Sequence, residues 1–221
     1  FIFSSSCTVY GQADSMPINE SFPLKKAESP YGESKKMCEE ILKKLNNSNH
    51  SFKNITLRYF NPIGAHPTGL IGELPIGTPE NLVPYITQTA IGKRDFLSVF
   101  GDNYKTKDGT CVRDYINIMD LAEVHIACLE KLIAVEDENF FKIYNVGTGK
   151  GTSVFELINL FENVNDIKLN YKIGDRRKGD VISAYADTTK IKEELSWSTK
   201  YSLENALKSA WNWELNLNKD E

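Results

Sequence analysis

The sequence of 221 residues lacks several features that would each point to a class of protein. Its four cysteines form no C-x-x-C pair and have no metal-ligand spacing with the three histidines, which favours reduced thiols inside a cell and no structural zinc. No apolar run approaches the roughly 18 residues that cross a membrane, and no signal-peptide pattern opens the chain. Arginine occurs only five times, and the net charge of −4 includes no basic block, so neither nucleic acid nor a membrane is an expected partner.

The residues that are present are typical of a cytoplasmic globular protein, with 41% hydrophobic and 25% charged side chains. The opening residues, Phe1 to Phe3, have no initiating methionine and predict a short buried strand of a parallel sheet, entered midway. We therefore expect the chain to be the later part of a longer protein. The next stretch, "SSSCTVYG", is a turn of small residues at the carboxyl end of that strand, where ligands bind in open α/β sheets.

A helix is predicted from about Ser29 to Leu45, because Ser29 is a good N-cap and Pro30 a good first helical residue. An apolar stripe follows this helix at Met37, Ile41, Leu42 and Leu45. The stretch "NITLRYF", from Asn54 to Phe60, predicts a second strand. Strand, helix and strand therefore follow in order and indicate a parallel crossover.

Tyr31 and Lys35 lie four positions apart on this helix and therefore share one face. An ammonium beside a phenol favours the phenolate, so we expect Lys35 to lower the pKa of Tyr31 and make it a useful base. With 10 tyrosines and 21 lysines in the chain, however, roughly one such spacing is expected by chance. The pair by itself is equally compatible with two solvated helix residues.

Two later segments each predict a strand followed by a helix. We expect Asp120 and Glu123 to cap the helix in "RDYINIMDLAEVHIACLEKL", and Ser153 and Glu156 to cap the helix in "KIYNVGTGKGTSVFELINLF". The glycines of "VGTGKGTS" suggest a dinucleotide-binding turn, but Thr152 stands where that fingerprint needs its third glycine. A strand-to-helix turn capped by Ser153 is the better interpretation.

If Ser6 ends a strand of the same sheet, it faces the crevice that Tyr31 and Lys35 also face. Around these residues stand "FSSSCTVYG", "SPYGESK", "LRYFNPIGAHP", "NLVPYI", "FGDNYKTKDGTCVRDYI", "DLAEVH", "YNVGTG" and "RRKGD". The Ser, Tyr-x-x-x-Lys arrangement resembles the short-chain dehydrogenase/reductase superfamily, and the eight motifs resemble its UDP-glucose 4-epimerase family. The resemblance runs in register from Phe1 to about Trp213 and is far more specific than one Tyr/Lys spacing.

The resemblance implies an α/β fold, the C-terminal part of a Rossmann-type parallel-sheet domain with a smaller mixed α/β substrate-binding domain. We expect residues 1–61 to belong to the NAD-binding domain and residues 62–221 to the UDP-sugar-binding domain, with residues 114–134 packing back on the first. The glycine-rich turn of the NAD-binding domain would then precede the present start of the sequence.

The resemblance also implies a reaction in which tightly held NAD takes a hydride from C4 of a UDP-hexose and returns it to the other face of the 4-keto sugar. Tyr31 would be the base, and Lys35 would lower its pKa and bind the nicotinamide ribose. Ser6 would bridge the sugar hydroxyl and the tyrosine. Phe60 would border the nicotinamide.

By the same resemblance, the uridine and the diphosphate would be bound by Asn61, Asn81, Leu82, Ser98, Phe100, Arg113, Arg177 and Asp180. The guanidinium groups of Arg113 and Arg177 match a diphosphate in charge and geometry, which makes them the expected anchors. Without the resemblance, Arg177 is a solvated member of the charged run "DRRKGD". Asp180 would accept a hydrogen bond from a ribose hydroxyl or from a neighbouring arginine.

Related nucleotide-sugar dehydratases need acidic side chains for elimination at the positions where this chain has Cys7 and Thr8, so interconversion of UDP-galactose and UDP-glucose is the expected reaction. Ala184 stands where bacterial epimerases have a bulky tyrosine beside the sugar, which suggests that UDP-GalNAc and UDP-GlcNAc are also substrates. The alternatives are a non-catalytic UDP-sugar-binding protein and a dehydratase. The resemblance further implies a homodimer that pairs through two helices per chain, one of them carrying Tyr31.

Overall fold

The computed structural model describes residues 1–48 and 51–219, so His50, one of the three histidines considered above as zinc ligands, lies outside the described residues. The strands are β1 (Ile2–Ser6), β2 (Asn54–Tyr59), β3 (Asn61–Ile63), β4 (Leu97–Phe100), β5 (Val112–Arg113), β6 (Tyr115–Asn117), β7 (Phe141–Val146), β8 (Thr152–Ser153), β9 (Tyr171–Gly174) and β10 (Ser183–Ala184). The helices are α1 (Pro30–Ser48), α2 (Leu82–Ala90), α3 (Ile118–Ala134), α4 (Val154–Asn165), α5 (Thr189–Leu195) and α6 (Leu203–Leu217), and a 3-10 turn spans Cys7–Tyr10.

One parallel sheet has the strand order β1-β2-β7 within the described residues. β1 and β2 are parallel neighbours connected through α1, as the strand, helix and strand order predicts, and Ser6 is the register partner of Tyr59. Ile55 and Leu57 of β2 pack against α3 in one buried cluster. The predicted fold class, α/β with a Rossmann-type parallel sheet, is confirmed.

The prediction of a buried opening strand is correct for the strand and wrong for its burial. Phe1 is 60% exposed, and Ile2 and Phe3 are half-buried, whereas Ser5 and Ser6 are buried. The reason is topological, because β1 lies at an edge of the described sheet and is paired on one side. The carboxyl end is the buried end, where α1 contacts both the strand and the 3-10 turn.

The rest of the chain forms small sheets around a second core. β4 pairs with β9 and β3 with β6, both in parallel, and β5 lies between β10 and β8. Helices α2, α4 and α6 contribute to the buried cluster that these strands share, which includes Ile86, Leu97, Phe161 and Leu207. This cluster supports β3 and β4, on which three of the eight predicted nucleotide-binding residues lie: Asn61, Ser98 and Phe100.

One of the two helix caps predicted from local sequence is present in the structure, and the other is not. Ser153 and Glu156 form a complete capping box at α4, as predicted. At α3 the predicted pair is wrong, because Asn117 is the cap and its side chain accepts from the Met119 backbone N–H at 2.9 Å. Asp120 is instead fully buried, and its carboxylate accepts two backbone N–H groups from the loop before α6.

The apolar stripe of α1 faces outward. Met37 is 56% exposed, Ile41 63% and Leu45 40%, while Leu42 is half-buried. Packing against the sheet therefore does not account for the stripe. Of the helices in the described ranges, none is long and apolar enough to cross a membrane.

Candidate functional site

Two of the predicted catalytic residues meet where β1 ends. The Ser6 hydroxyl caps the 3-10 turn, accepting from the Thr8 backbone N–H at 3.2 Å and from the Thr8 hydroxyl at 3.0 Å. Tyr31 lies in the first turn of α1, where the Ser29 hydroxyl accepts from the Gly32 N–H at 3.1 Å, as expected of an N-cap. The Ser6 hydroxyl also lies close enough to Tyr31 to influence the pKa of its phenol. The strand end and the helix start therefore form one crevice.

The pKa of Tyr31 is raised in this structure, whereas the sequence predicts that Lys35 lowers it. Burial contributes most to the rise and Tyr59 adds to it, while the Ser6 hydroxyl opposes it. Lys35 does not reverse the rise, because its ammonium donates to the Ser4 carbonyl at 2.8 Å and lies 5.5 Å from the centre of the Tyr31 ring. The predicted effect of Lys35 is wrong here, since its cation is held by the backbone and faces the ring.

A cavity of about 450 Å³ lies between β4, β5 and the start of α2. Its wall includes all eight residues predicted to contact the uridine and the diphosphate: Asn61, Asn81, Leu82, Ser98, Phe100, Arg113, Arg177 and Asp180. Cavities of this size commonly hold ligands of a few hundred daltons. Folding thus collects residues that are far apart in the sequence around one space of suitable volume.

One carboxylate holds two guanidinium groups at the cavity wall. The Asp180 Oδ1 atom is 2.9 Å from Arg177 Nη2 and 3.8 Å from Arg113 Nη2. The hydrogen bond to Asp180 is the main cause of a raised pKa at Arg177, whose guanidinium also lies 5.6 Å from the centre of the Phe100 ring. Two oriented guanidinium groups are well suited to a ligand with two phosphates.

Sequence reasoning missed several residues of the cavity wall, among them Glu80, Cys111 and Tyr115. A signal existed for two of them, because Cys111, Arg113 and Tyr115 occupy every second position from the residue before β5 to the first residue of β6, and alternate residues of an extended chain face the same side. Glu80 carries no comparable pattern. It lies close enough to Arg177 to add to the raised pKa of that guanidinium.

Besides the three predicted catalytic residues, Phe60 and Ala184 also lie outside the cavity wall. Phe60 is 4% exposed and Ala184 is 7% exposed, and both belong to a third buried cluster with Val9 and Tyr10. Ala184 is nevertheless the register partner of Arg113 across β5 and β10. The third cluster is therefore connected directly to the strand that carries one of the predicted diphosphate anchors.

Cys7 lies near both groups of predicted site residues. It interacts electrostatically with Tyr31 on one side and with Arg113 on the other. Although the residue as a whole is only partly buried, its thiol lies deep, and burial raises the pKa of this thiol to about 12 against the opposing effect of Arg113. Cys7 is thus near a residue of each group of predicted site residues, and its thiol is protonated near neutral pH.

Asp114 explains the glycines of the "VGTG" turn. Its buried carboxylate accepts from the backbone N–H groups of Thr148 at 2.8 Å, Gly149 at 3.0 Å and Ala186 at 3.1 Å. A side chain at Gly147 would collide with the same carboxylate. These glycines therefore permit close packing of the turn on Asp114.

The polar groups at the end of β1 fit the nicotinamide end of a dinucleotide in their chemistry. A serine hydroxyl, a phenol and an ammonium can donate to ribose hydroxyls and to a carboxamide, and Ser6, Tyr31 and Lys35 bring these groups together. In residues 1–48 and 51–219, no group of three or more His, Cys, Asp or Glu side chains could hold a metal ion.

The fold and the site are those of a Rossmann-type protein with a nucleotide-sized cavity. The family model described as GDP-mannose 4,6 dehydratase matches residues 1–210, and the chain belongs to this family. It is 50% identical over 214 residues to the UDP-glucose 4-epimerase of Pasteurella multocida, an alignment that covers 97% of this chain and 62% of that protein.

Two solved structures are also similar to the whole chain. The UDP-glucose 4-epimerase of Stenotrophomonas maltophila, with bound NAD and formylated UDP-arabinopyranose, has a TM-score of 0.95 at 41% identity, covering 100% of this chain and 64% of that one. The UDP-glucose 4-epimerase of Bifidobacterium longum, with NAD+ and UDP, has a TM-score of 0.93 at 41% identity and the same coverage. The predicted resemblance is confirmed, and the chain spans less than two thirds of each of these three proteins.

Proposed function

We propose that the protein containing this chain is an NAD-dependent UDP-glucose 4-epimerase, which interconverts UDP-galactose and UDP-glucose. The observation that carries the proposal is the cavity of about 450 Å³ whose wall holds the eight predicted nucleotide-binding residues. Cys7, which follows Ser6, lies close enough to Arg113 of this cavity and to Tyr31 for electrostatic interaction with both. The names of the relatives and the ligands of the similar structures support the same activity.

When bound, NAD would supply the acceptor, and later the donor, of the hydride at C4 of the sugar. Tyr31 would take the proton of the C4 hydroxyl and return a proton after the 4-keto sugar has turned over. Ser6, whose hydroxyl lies near Tyr31, would bridge this tyrosine and the sugar hydroxyl. Lys35 would bind the nicotinamide ribose, and Phe60 would border the nicotinamide.

Arg113 and Arg177 would anchor the diphosphate, with Asp180 holding both guanidinium groups in place. The uridine would be contacted by the remaining residues predicted for this cavity, Asn61, Asn81, Leu82, Ser98 and Phe100. A contact outside the prediction supports the role of Asn81, because its side-chain amide donates to Glu73 Oε1 at 2.7 Å and is thereby oriented.

The residues after Ser6 favour epimerisation over dehydration. Elimination needs an acid that protonates the leaving hydroxyl. Burial raises the pKa of the Cys7 thiol to about 12, and the Thr8 hydroxyl donates to Ser6 at 3.0 Å. Neither side chain is a suitable acid, so the keto sugar would be reduced again without loss of water.

The proposal extends to the acetamido sugars UDP-GalNAc and UDP-GlcNAc. Its support is the size of Ala184, whose methyl group is much smaller than the tyrosine side chain that bacterial epimerases resemble one another in having at this position. Ala184 shares a buried cluster with Phe60, the residue proposed to border the nicotinamide. The sugar would react on this side of the site.

A second copy of the chain is the proposed partner of the exposed stripe on α1. Met37, Ile41 and Leu45 form an apolar face on the same helix as Tyr31, and apolar faces of this kind are commonly covered by a subunit. We assign residues 1–61 to the NAD-binding domain and residues 62–221 to the UDP-sugar-binding domain. The protein would act in the cytoplasm, in galactose metabolism.

The deciding experiment measures formation of UDP-glucose from UDP-galactose by the intact protein, together with the NAD released on denaturation. Turnover with about one NAD per chain is the expected result. UDP binding without NAD or turnover would identify a non-catalytic UDP-sugar-binding protein, and loss of water from the substrate would identify a dehydratase. Tyr31→Phe should bind UDP normally and turn over on the order of 10² to 10⁴ times more slowly.

A further inference from the structure

A buried ion pair joins the face of α1 that carries Tyr31 and Lys35 to β2. Glu39 follows Lys35 by four residues on this helix and is 5% exposed. Its carboxylate accepts from Arg58 Nε at 2.9 Å and from Arg58 Nη2 at 2.5 Å, so the pair is bidentate. The Ser5 hydroxyl donates to the same carboxylate at 2.5 Å. Glu39 thus connects the helix to β1 and to β2 at once.

Arg58 also reaches the turn that follows Ser6. Its Nη1 atom donates to the Tyr10 hydroxyl at 2.9 Å, and this hydroxyl donates to Asn145 Oδ1 at 2.7 Å. Tyr10 is the last residue of the 3-10 turn that Ser6 caps. Burial disfavours the Arg58 cation, but the bonds from Glu39 and Tyr10 outweigh this and raise the pKa of Arg58. The guanidinium is therefore a permanently charged link between two elements.

We propose that Arg58, with Glu39 and Tyr10, is a positioning device that fixes Tyr31 and Lys35 relative to Ser6. The proposal rests on the proposed function and adds to it residues that do not touch the substrate. None of the three lines the nucleotide cavity. Their contacts join the two elements that carry the proposed reacting groups, α1 and the turn after β1.

Stability alone is a poor explanation for such a network. Replacing a buried ion pair by apolar residues of similar volume is often neutral or stabilising, because two charges lose their hydration on burial. A bidentate pair does, however, restrict both distance and angle between the elements that it joins. Proton transfer depends on that geometry, since a base must lie within hydrogen-bond reach of the proton it takes.

The test compares two variants of the intact protein with a control. Glu39→Asp keeps the charge but shortens the side chain by one methylene, so the pair re-forms only if α1 shifts. Tyr10→Phe keeps the ion pair and removes its link to the turn. The matched control is Asp120→Asn, a buried carboxylate of α3 that contacts neither α1 nor the turn.

A shift of about 1 Å at the base can cost on the order of 10²-fold, so Glu39→Asp should lower kcat by about 10- to 100-fold. KM and the Kd for UDP should stay within about twofold of the wild type, because the interaction is needed in the transition state rather than for binding. Tyr10→Phe should show the same pattern with a smaller loss of kcat. Asp120→Asn should lower Tm and leave kcat unchanged.

A second readout does not need activity. Titration of Tyr31 by NMR of ring-labelled tyrosine, assigned with Tyr31→Phe, reports the contact with Ser6 directly. The groups that act on Tyr31 are Ser6, Tyr59 and Cys7, with Lys35 over its ring. Moving Tyr31 away from the Ser6 hydroxyl weakens the influence that opposes the raised pKa, so the midpoint should move upward in Glu39→Asp and not in Asp120→Asn.

The outcomes separate the two proposals. Loss of Tm in Glu39→Asp with unchanged kcat and unchanged Tyr31 titration would show a merely structural pair and overturn the inference. If Glu39→Asp does not fold, Tyr10→Phe decides by the same two readouts. If the wild-type protein converts no UDP-sugar, the proposed function fails, and the Tyr31 titration still decides whether the network positions this residue.

Discussion

Replacing Arg113 by methionine should weaken UDP binding strongly, because this guanidinium is the more buried of the two proposed diphosphate anchors. The Arg113 side chain is 17% exposed and the Arg177 side chain 54%. Losing a hydrogen bond to a charged group costs about 1.5 to 3 kcal/mol, which corresponds to about 10- to 150-fold in Kd. For Arg177→Met, where water competes, about two- to fivefold is expected. Methionine preserves much of the aliphatic part of the arginine side chain, so the loss of UDP affinity measures the contribution of the guanidinium group.

The adjacent Arg176 supplies a matched control within the same charged run. Its guanidinium hydrogen-bonds Asn103 and lies 4.2 Å from the centre of the Tyr104 ring, outside the cavity wall. Arg176→Met should therefore leave the Kd for UDP unchanged. Isothermal titration of the intact protein with UDP measures all three variants, with circular dichroism to establish folding. Equal losses at Arg176 and Arg177, or none at Arg113, would refute the assignment of the cavity to the diphosphate.

Three further predictions concern the range of accepted sugars, the stability of the fold and the reactivity of a buried thiol. Ala184→Tyr should lower kcat/KM for the acetamido sugars relative to the plain sugars, and an unchanged ratio would disprove the space assigned to the acetamido group. Ser153→Ala removes the N-cap hydroxyl of the capping box at α4 and should lower the free energy of unfolding by about 1 kcal/mol. The expected readout is a fall in Tm of about 2 to 4 °C. An unaltered Tm would contradict the role of the cap. Burial raises the pKa of the Cys128 thiol to about 12, so this thiol stays protonated near pH 8. It should therefore resist iodoacetamide until urea unfolds the protein. Rapid alkylation of the native protein would show that the thiolate is accessible.

Features set by neighbours in the sequence were predictable. The start of α1 at Ser29 and Pro30 and the capping box of Ser153 and Glu156 depend on contacts within one turn, and both are present in the structure. The order of strand, helix and strand likewise follows from hydrophobic patterns alone. Local chemistry therefore defines the elements, and the resemblance indicates which side chains converge on the cavity.

The errors came from partners far away in the sequence. Asp120 has the spacing of a capping residue, but its carboxylate is taken by backbone N–H groups 80 residues later. Lys35 has the spacing to lower the pKa of Tyr31, but the carbonyl of Ser4 holds its ammonium. In each case the spacing in the sequence predicts a contact between neighbours on one helix. The side chain instead makes a tertiary hydrogen bond, which no local pattern encodes.

Under the proposed function, the range of accepted sugars and the affinity for the nucleotide would be linked through one pair of strands. Ala184 and Arg113 are register partners, and the Asp114 backbone N–H donates to the Ala184 carbonyl at 3.0 Å. A larger side chain that pushes β10 outward therefore moves β5, and with it the arginine that would hold the diphosphate. A change of sugar selectivity at position 184 would then also alter the binding of the nucleotide. Narrower specificity would be followed by compensating substitutions along β5.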